Sequence, residues 1–456
     1  MPSTDRPVPA TPSISRFLEQ YTLRHPVHAS ALGIRLHDHE LPDWTRESRE
    51  DELDEFEALT VAIDDEHDAA LDPSALRADT ALIDALHARA SMDARQLAFE
   101  SGYFADRNPA LWIREALTGL HVIAREQRGS DTDDMASLAM RLHDVPRFLE
   151  ALPTTVTAPI PAAWRDAAQA AVQDALAIES TIISPWLRSH TAPPDTEAWL
   201  REATGTAVSA FRTAGHWLDG VAVLDEAPAL GAEAYETLLR SVHLMADPLE
   251  RLRDRVLQED EARWLEAAPP SEDEEALPDR LWPLPWMRTP LDPLSGDARV
   301  PAIPSSALAS SATWLGALAA RDACTTMDAL PGTFAADAWR AHAGPRAWRA
   351  LLTATAAVEL RLHCESLSPA AAIDRLQAEG GPLADRTRAE AVVVALGMHP
   401  GRVFAAWHGA HLLDQLHGVL SARHGAMLSP SAFASQVFQW GAIPVPLIAR
   451  LLLAVP

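Results

Sequence analysis

The chain has 456 residues and a formal net charge of −26, from 64 acidic side chains against 38 basic ones. That balance repels phosphate backbones and anionic headgroups, so nucleic acid and membranes are not expected as partners. Hydrophobic residues make up 48% of the chain, enough for a large core in one big domain or several lobes, and no run reaches the roughly 20 apolar residues of a membrane span.

Residues 1–12 are rich in Pro, Ser and Thr and predict a loose arm. Helical periodicity then sets in over 16–24 and 51–64, where Leu53, Phe56 and Leu59 sit among acids. Asp72 followed by Pro73 reads as a helix N-cap with proline at the first helical position, and Leu82, Leu86 and Ala90 continue at helical spacing over 76–99. Further helices are predicted over 112–126, 134–152, 164–187 and 197–218, with a Pro/Thr-rich break at 153–161. The pattern over 232–264 is interrupted at Pro248. Residues 268–304 then carry nine prolines and the acidic run Glu272-Asp273-Glu274-Glu275, which predicts an extended connector. Helices resume over 307–330, 335–363, 369–379 (capped by Ser368), 385–399 and 401–424. Clean two-residue alternation is nearly absent, so the fold class is all-α. The expected division is a helical lobe over 13–267, the connector, and a second lobe over 305–456.

Composition also removes chemistries. All 38 basic residues are arginine, so Schiff-base and pyridoxal-phosphate mechanisms and the P-loop are excluded for want of a lysine. Neither G-x-G-x-x-G nor G-x-S-x-G occurs, which leaves no dinucleotide fingerprint and no nucleophile elbow. Only Cys324 and Cys364 are present, so neither a disulfide framework nor a Cys-rich zinc site is expected. The opening Met1-Pro-Ser-Thr-Asp-Arg has no apolar signal core, and a cytoplasmic protein is expected.

A collinear set of short patterns runs along the chain: Phe17-Leu-Glu-Gln-Tyr, His25-Pro26, Ala31-Leu32-Gly33, His37-Asp38 and Leu41-Pro42-Asp43; Asn108-Pro109; the R-L-x-x-V-P-x-F-L of 141–149; 361–376; His399-Pro400-Gly401-Arg402; and Trp440-Gly441-Ala442-Ile443-Pro444. In this order they resemble the bacterial domain-of-unknown-function 885 (DUF885) family. The resemblance implies a large multi-helix fold like that of zinc carboxypeptidases or dipeptidases, with two lobes around a groove. It also implies a metal helix reading H-E-x-x-P-G-H and a glutamate from a downstream E-G-W-A-like segment. Two imidazoles one turn apart reach a single zinc, and the glutamate between them activates the bound water. At the matching positions this chain has Ser311, Ala312, Gly316 and Ala317, then Asp337-Ala338-Trp339. No H-E-x-x-H occurs anywhere among its 18 histidines, so no metal and no cofactor are expected.

Polar groups remain in the C-terminal helices. Glu359 and His363 share a helix face at i, i+4, a spacing at which a carboxylate can orient an imidazole as general base; a structural pair on the helix is the plainer reading. Arg402 is a candidate to grip a carboxylate, and His408 and His411, with Asp414 roughly in line, share a face with the spacing for a ligand or metal site, core or surface being the plainer reading. Asp337, Trp339 and Trp407 are candidate ligand contacts, although large aromatics mostly pack. Three functions compete. The first is a non-catalytic pseudo-peptidase that binds a small peptide-like, amino-acid-like or carboxylate ligand, or another protein. The second is a metal-independent hydrolase or lyase using Glu359 and His363. The third draws metal ligands from Asp337, Glu359, His363, His408 and His411. The first is preferred.

Overall fold

The computed structural model describes residues 11–31, 33–67, 80–102, 106–125, 131–191, 193–224, 228–266, 338, 342, 346–439 and 443–454. The expected arm over 1–10, the cap at Asp72-Pro73, the connector over 268–304 and the segment Ser311–Ala317 lie outside the described residues.

The described chain is all-α. It opens with α1 (Pro12–Arg24), α2 (Pro26–Ala31), α3 (Arg46–Glu66), α4 (Thr80–Glu100), α5 (Pro109–Arg125) and α6 (Asp131–Glu150). Thr11 caps α1, accepting from the Ile14 amide, and the stretch read as a loose arm therefore already ends in a helix start at Thr11-Pro12. The Pro/Thr-rich break holds a short helix, α7 (Leu152–Thr155), and one residue pair of strand, β1 (Ile160–Pro161), which lies parallel to β2 (Val223–Leu224) with Ile160 opposite Val223. The single helix expected over 164–187 is three pieces: α8 (Ala162–Leu176), a π turn at Glu179–Ile183 and α9 (Ser184–Ser189), where Pro185 supplies no backbone donor.

Next come α10 (Pro194–Gly220), α11 (Ala232–Thr237), a second π turn at Leu238–Val242 and α12 (Leu249–Glu266), which restarts just after Pro248 as expected. The C-terminal helices are α13 (Arg346–Cys364), α14 (Pro369–Ala378), α15 (Arg386–Met398), α16 (Arg402–His424), α17 (Pro430–Phe438) and α18 (Val445–Ala454). Ser368 and Asp385 cap α14 and α15 by accepting the Ala371 and Arg388 amides at 3.2 and 3.0 Å.

Periodicity explains the packing. Along α10, Leu200, Ala203, Thr204, Ala207, Phe211, Ala214 and Leu218 are buried, a stripe at i, i+3, i+4 and i+7. It lies against α6, which buries Met135, Leu138, Ala139, Leu142 and Val145. Each large apolar side chain fully buried there contributes about 1.5–3 kcal/mol. The same core runs on through Trp348 to Ala410, so helices on both sides of 268–304 share it.

One fully buried cation ties the first third together. Arg141 on α6 donates to Gly119 O at 3.0 Å, to Ser30 Oγ at 2.9 Å and to His37 O at 2.9 Å. Gly119 permits this approach: a Cβ there would meet Arg141 Cδ at 3.2 Å and Val27 Cγ2 at 3.0 Å. The Ser30 hydroxyl in turn donates a hydrogen bond to Asp38 Oδ1 at 2.6 Å, which links the buried charge to a carboxylate.

Candidate functional site

α13 carries Glu359 and His363 one turn apart, both almost fully buried. Before α16, Pro400 is followed by Gly401 with φ +80°, the left-handed turn that lets the helix start at Arg402. A helix start leaves its first amides without intrahelical partners. Glu359 serves them: its Oε2 accepts the Phe404 amide at 2.7 Å, with the Gly401 and Val403 amides also acting on it. Burial pushes this carboxyl up to about 8, more than those donors and Arg402 pull it down.

His363 is held from two sides. Its Nδ1 accepts the Leu230 amide at 3.2 Å, and its Nε2–H donates to Leu396 O at 3.0 Å, so one tautomer fits. Its ring stacks on Tyr235, whose buried hydroxyl has no hydrogen-bond partner among the described residues. Burial drops His363 to about 4, which keeps it neutral. The sequence spacing does place the two side chains on one face, and the structure gives each of them backbone partners from other elements.

The candidates on α16 part company. Trp407 is buried and donates Nε1–H to Glu259 Oε2 of α12 at 3.0 Å. His411 Nε2 meets the same oxygen at 2.8 Å, and Arg255 Nε lies 3.3 Å from Oε1 with its guanidinium 5.4 Å from the Trp407 ring centre. Burial raises the Glu259 pKa, but the His411 and Trp407 donors outweigh it and the net shift is downward. His408 takes no part in that cluster; its buried Nδ1 has no partner among the described residues, burial together with Arg255 lowers it to about 4, and its charge acts on His243. Asp414 pairs with His342 at 2.6 Å and with Arg349. Arg402 is nine-tenths buried in the first turn. Asp337 and Trp339 lie outside the described residues. Among the described residues no group of three or more His, Cys, Asp or Glu side chains is placed to hold a metal ion, and no helix is long and apolar enough to cross a membrane.

Sequence reasoning missed Glu259, Tyr235, His243 and Arg114. Glu259 lies in an ordinary charged run on α12, and nothing local announces that it meets Trp407 and His411 about 150 residues away. It also missed a second buried polar group near the start of the chain. There His25 Nε2 donates to Glu52 Oε1 at 2.7 Å and Arg95 lies 3.4 Å from Oε2. Burial and Arg95 lower His25 to about 4; Arg95 and His25 outweigh burial at Glu52 and hold it at about 2. Glu115 nearby is pushed up to about 7 by burial. Two surface hollows lie away from the groups around α16. One, of about 720 Å³, is lined by Arg24, His39, Asp43, His143 and Arg147 among others, and one, of about 690 Å³, lies between α6 and α10 beside Pro146, Leu149 and Trp217.

A sequence profile described as a bacterial protein of unknown function (DUF885) matches residues 26–260, just over half of the chain. The chain belongs to the DUF885 family. The fold of this DUF885 protein is similar to that of a candidate lipoprotein of unknown function from Shewanella oneidensis, at 13% identity over 97% of this chain and 99% of that one, with a TM-score of 0.68. It is also similar to a candidate lipoprotein from Colwellia psychrerythraea, at 11% identity over 96% and 98% of the two chains, with a TM-score of 0.64. No curated protein sequence matches it. These likenesses correct the cytoplasmic expectation. That expectation rested on acidic composition, few cysteines and the first residues, yet the same fold is borne by proteins described as lipoproteins, so those features do not place a chain in the cytoplasm.

Proposed function

We propose that this DUF885 protein is a non-hydrolytic member of its family, a helical scaffold that binds a small peptide-like or other carboxylate ligand near the start of α16. One observation carries the reading: the only His-Glu pair in the chain is His39-Glu40, followed by Leu-Pro-Asp. No helix of this chain can therefore present two imidazoles one turn apart with a glutamate between them. Where the resemblance implies those groups, Ser311, Ala312 and Ala317 offer neither imidazole nor carboxylate, so that set does not fit zinc and no step is routed through one. Ligand binding is supported by the buried polar atoms around α16 that lack partners among the described residues, Glu359 Oε1, His408 Nδ1 and Tyr235 Oη, since such atoms are costly unless something meets them. A metal-independent hydrolase or lyase built on Glu359 and His363 has less support, because a base must reach its substrate and both imidazole nitrogens are engaged by backbone.

The test is elemental analysis of natively purified protein beside a Ser311→His/Ala312→Glu/Ala317→His variant, with a peptide panel. The reading expects less than about 0.1 equivalent of zinc in the wild type, far below a filled site, and stable zinc uptake by the variant. Wild-type peptide hydrolysis that a chelator abolishes would sink it.

A further inference from the structure

The α6–α10 pair leaves an open slot on its outer side. On α10, Glu202, Thr206, Ser209, Thr213 and Trp217 line it, recurring at i, i+4, i+7, i+11 and i+15 on one helix face. That face is about 22 Å long at 1.5 Å per residue. The hollow of about 690 Å³ is therefore elongated, and its size falls within the roughly 300–1,000 Å³ of small-ligand sites. Pro146, Leu149 and Glu150 of α6 form the other wall, with Pro153 of α7 beside them. Leu149 and Ala214 are buried against the core, and Trp217 is half-buried. At Gly205 the slot is widest open, since a Cβ there would meet no atom within 4 Å.

The lining is rich in acceptors and, among the described residues, holds no cation. Neither proline carries an N–H. Thr206 and Thr213 donate their hydroxyl protons one turn back, to Glu202 O at 3.2 Å and Ser209 O at 3.1 Å, so their oxygens are left to accept. Glu150 and Glu202 are exposed, and the arginine next to each is turned to other groups. Arg147 binds Asp144 and the Leu41 carbonyl, and Arg201 binds Glu197 and Glu179. No ion pair forms at Glu150 or Glu202 among the described residues. α6 also ends at Glu150, and the partial negative charge of a helix C-terminus adds to that carboxylate.

We propose that the slot between α6 and α10 binds a linear aliphatic polyamine, with its methylene chain over Leu149 and Ala214 and its ammonium groups on Glu150, Glu202 and the face of Trp217. An ammonium only donates, which suits a lining of acceptors, and a cation is attracted to an indole face. The alternatives match less of the site. A compact metal ion would leave the apolar floor uncovered, an uncharged chain would leave two acids without partners, and an anion would be repelled by both. This site lies apart from α16 and does not depend on the carboxylate reading there.

The full-length protein is titrated calorimetrically with spermine, with magnesium chloride and with octanol, at one fixed ionic strength. Spermine is expected to bind once per chain, and the other two are not expected to bind the slot. Glu150→Gln and Glu202→Gln change only exposed side chains, and each is expected to weaken spermine about two- to fivefold, the range of an exposed ion pair. Gly205→Leu favours the helix and grows into open space, and is expected to weaken spermine at least about tenfold by filling the slot. Circular dichroism checks each fold, and the two glutamine variants decide the matter if the leucine variant does not fold. Absence of spermine binding overturns the site. Spermine binding that none of these variants weakens also overturns it, because attraction to the net charge of −26 would then suffice. Magnesium or octanol bound as tightly as spermine, and lost in the same variants, overturns the polyamine assignment.

Discussion

Acidification from pH 6.5 to 4.5 is expected to destabilise this protein through its histidines before its ordinary carboxylates protonate. His25, His243, His363 and His408 are each at most 5% exposed, and burial lowers each from 6.5 to about 4. The unfolded chain protonates these imidazoles below about 6.5 and the folded chain resists until about 4, so stability present above 6.5 is lost as pH falls through that window. At about 1.4 kcal/mol per unit, each contributes roughly 3 kcal/mol. Two carboxyls oppose them. Burial raises Glu359 to about 8 and Glu115 to about 7, so the folded state keeps their protons where the unfolded chain has released them, and stability falls as pH rises from 4.5 through those values. Between pH 6.5 and 4.5 these four imidazoles, joined by His399, which burial also lowers well below its ordinary value, therefore work against two carboxyls. The net loss is at least two protons' worth over two pH units, on the order of 5 kcal/mol or more, a large share of a typical folding stability. Above 6.5 only the carboxyls act, so the maximum lies near pH 6.5. Urea unfolding followed by tryptophan fluorescence, repeated from pH 4.5 to 8.5, measures this directly. A stability that stays within about 1 kcal/mol from pH 6.5 to 4.5, or rises toward acid, would refute the argument that these rings are buried and neutral.

Other outcomes are as definite. Gly401→Ala places a Cβ 2.6 Å from Leu238 Cδ2 in a left-handed conformation, and should cost about 2–4 kcal/mol in urea unfolding; a change under about 0.5 kcal/mol would contradict the strain. His363→Leu strands the Leu230 amide and the Leu396 carbonyl, at about 1–3 kcal/mol each, and should also flatten the acid limb by one proton. Trp407→Phe keeps the packing and removes the bond to Glu259, so a loss near 1 kcal/mol is expected in a thermal melt. Arg141→Lys cannot reach Gly119 O, Ser30 Oγ and His37 O together, and should lower the melting temperature by several degrees although the charge is kept.

Much of the fold was legible because helix signals are local. Ser368 caps where the sequence places it, Pro248 interrupts where proline must, and the stripe on α10 follows from its spacing. The break of 164–187 into three pieces was not legible, since an alanine-rich run reads as one helix until packing opens a π turn. At the candidate site the spacing put Glu359 and His363 on one face, but their partners at Phe404, Leu230 and Leu396 belong to other helices and loops. His408, His411 and Asp414 look alike along one helix, and only tertiary packing sends them to His243, Glu259 and His342.

The bonds made by Arg141 set how the first third of the molecule can open. Carbonyls of Gly119 and His37 and the hydroxyl of Ser30 meet at one guanidinium with no solvent exposure. Peeling away any one of these segments leaves a charge in the core short of acceptors, at a cost near that of losing the whole cluster. Partial opening is therefore suppressed. The amides around Ser30, His37 and Gly119 should exchange their hydrogens together, at one rate set by a single cooperative event, and not in the graded order of a fraying edge.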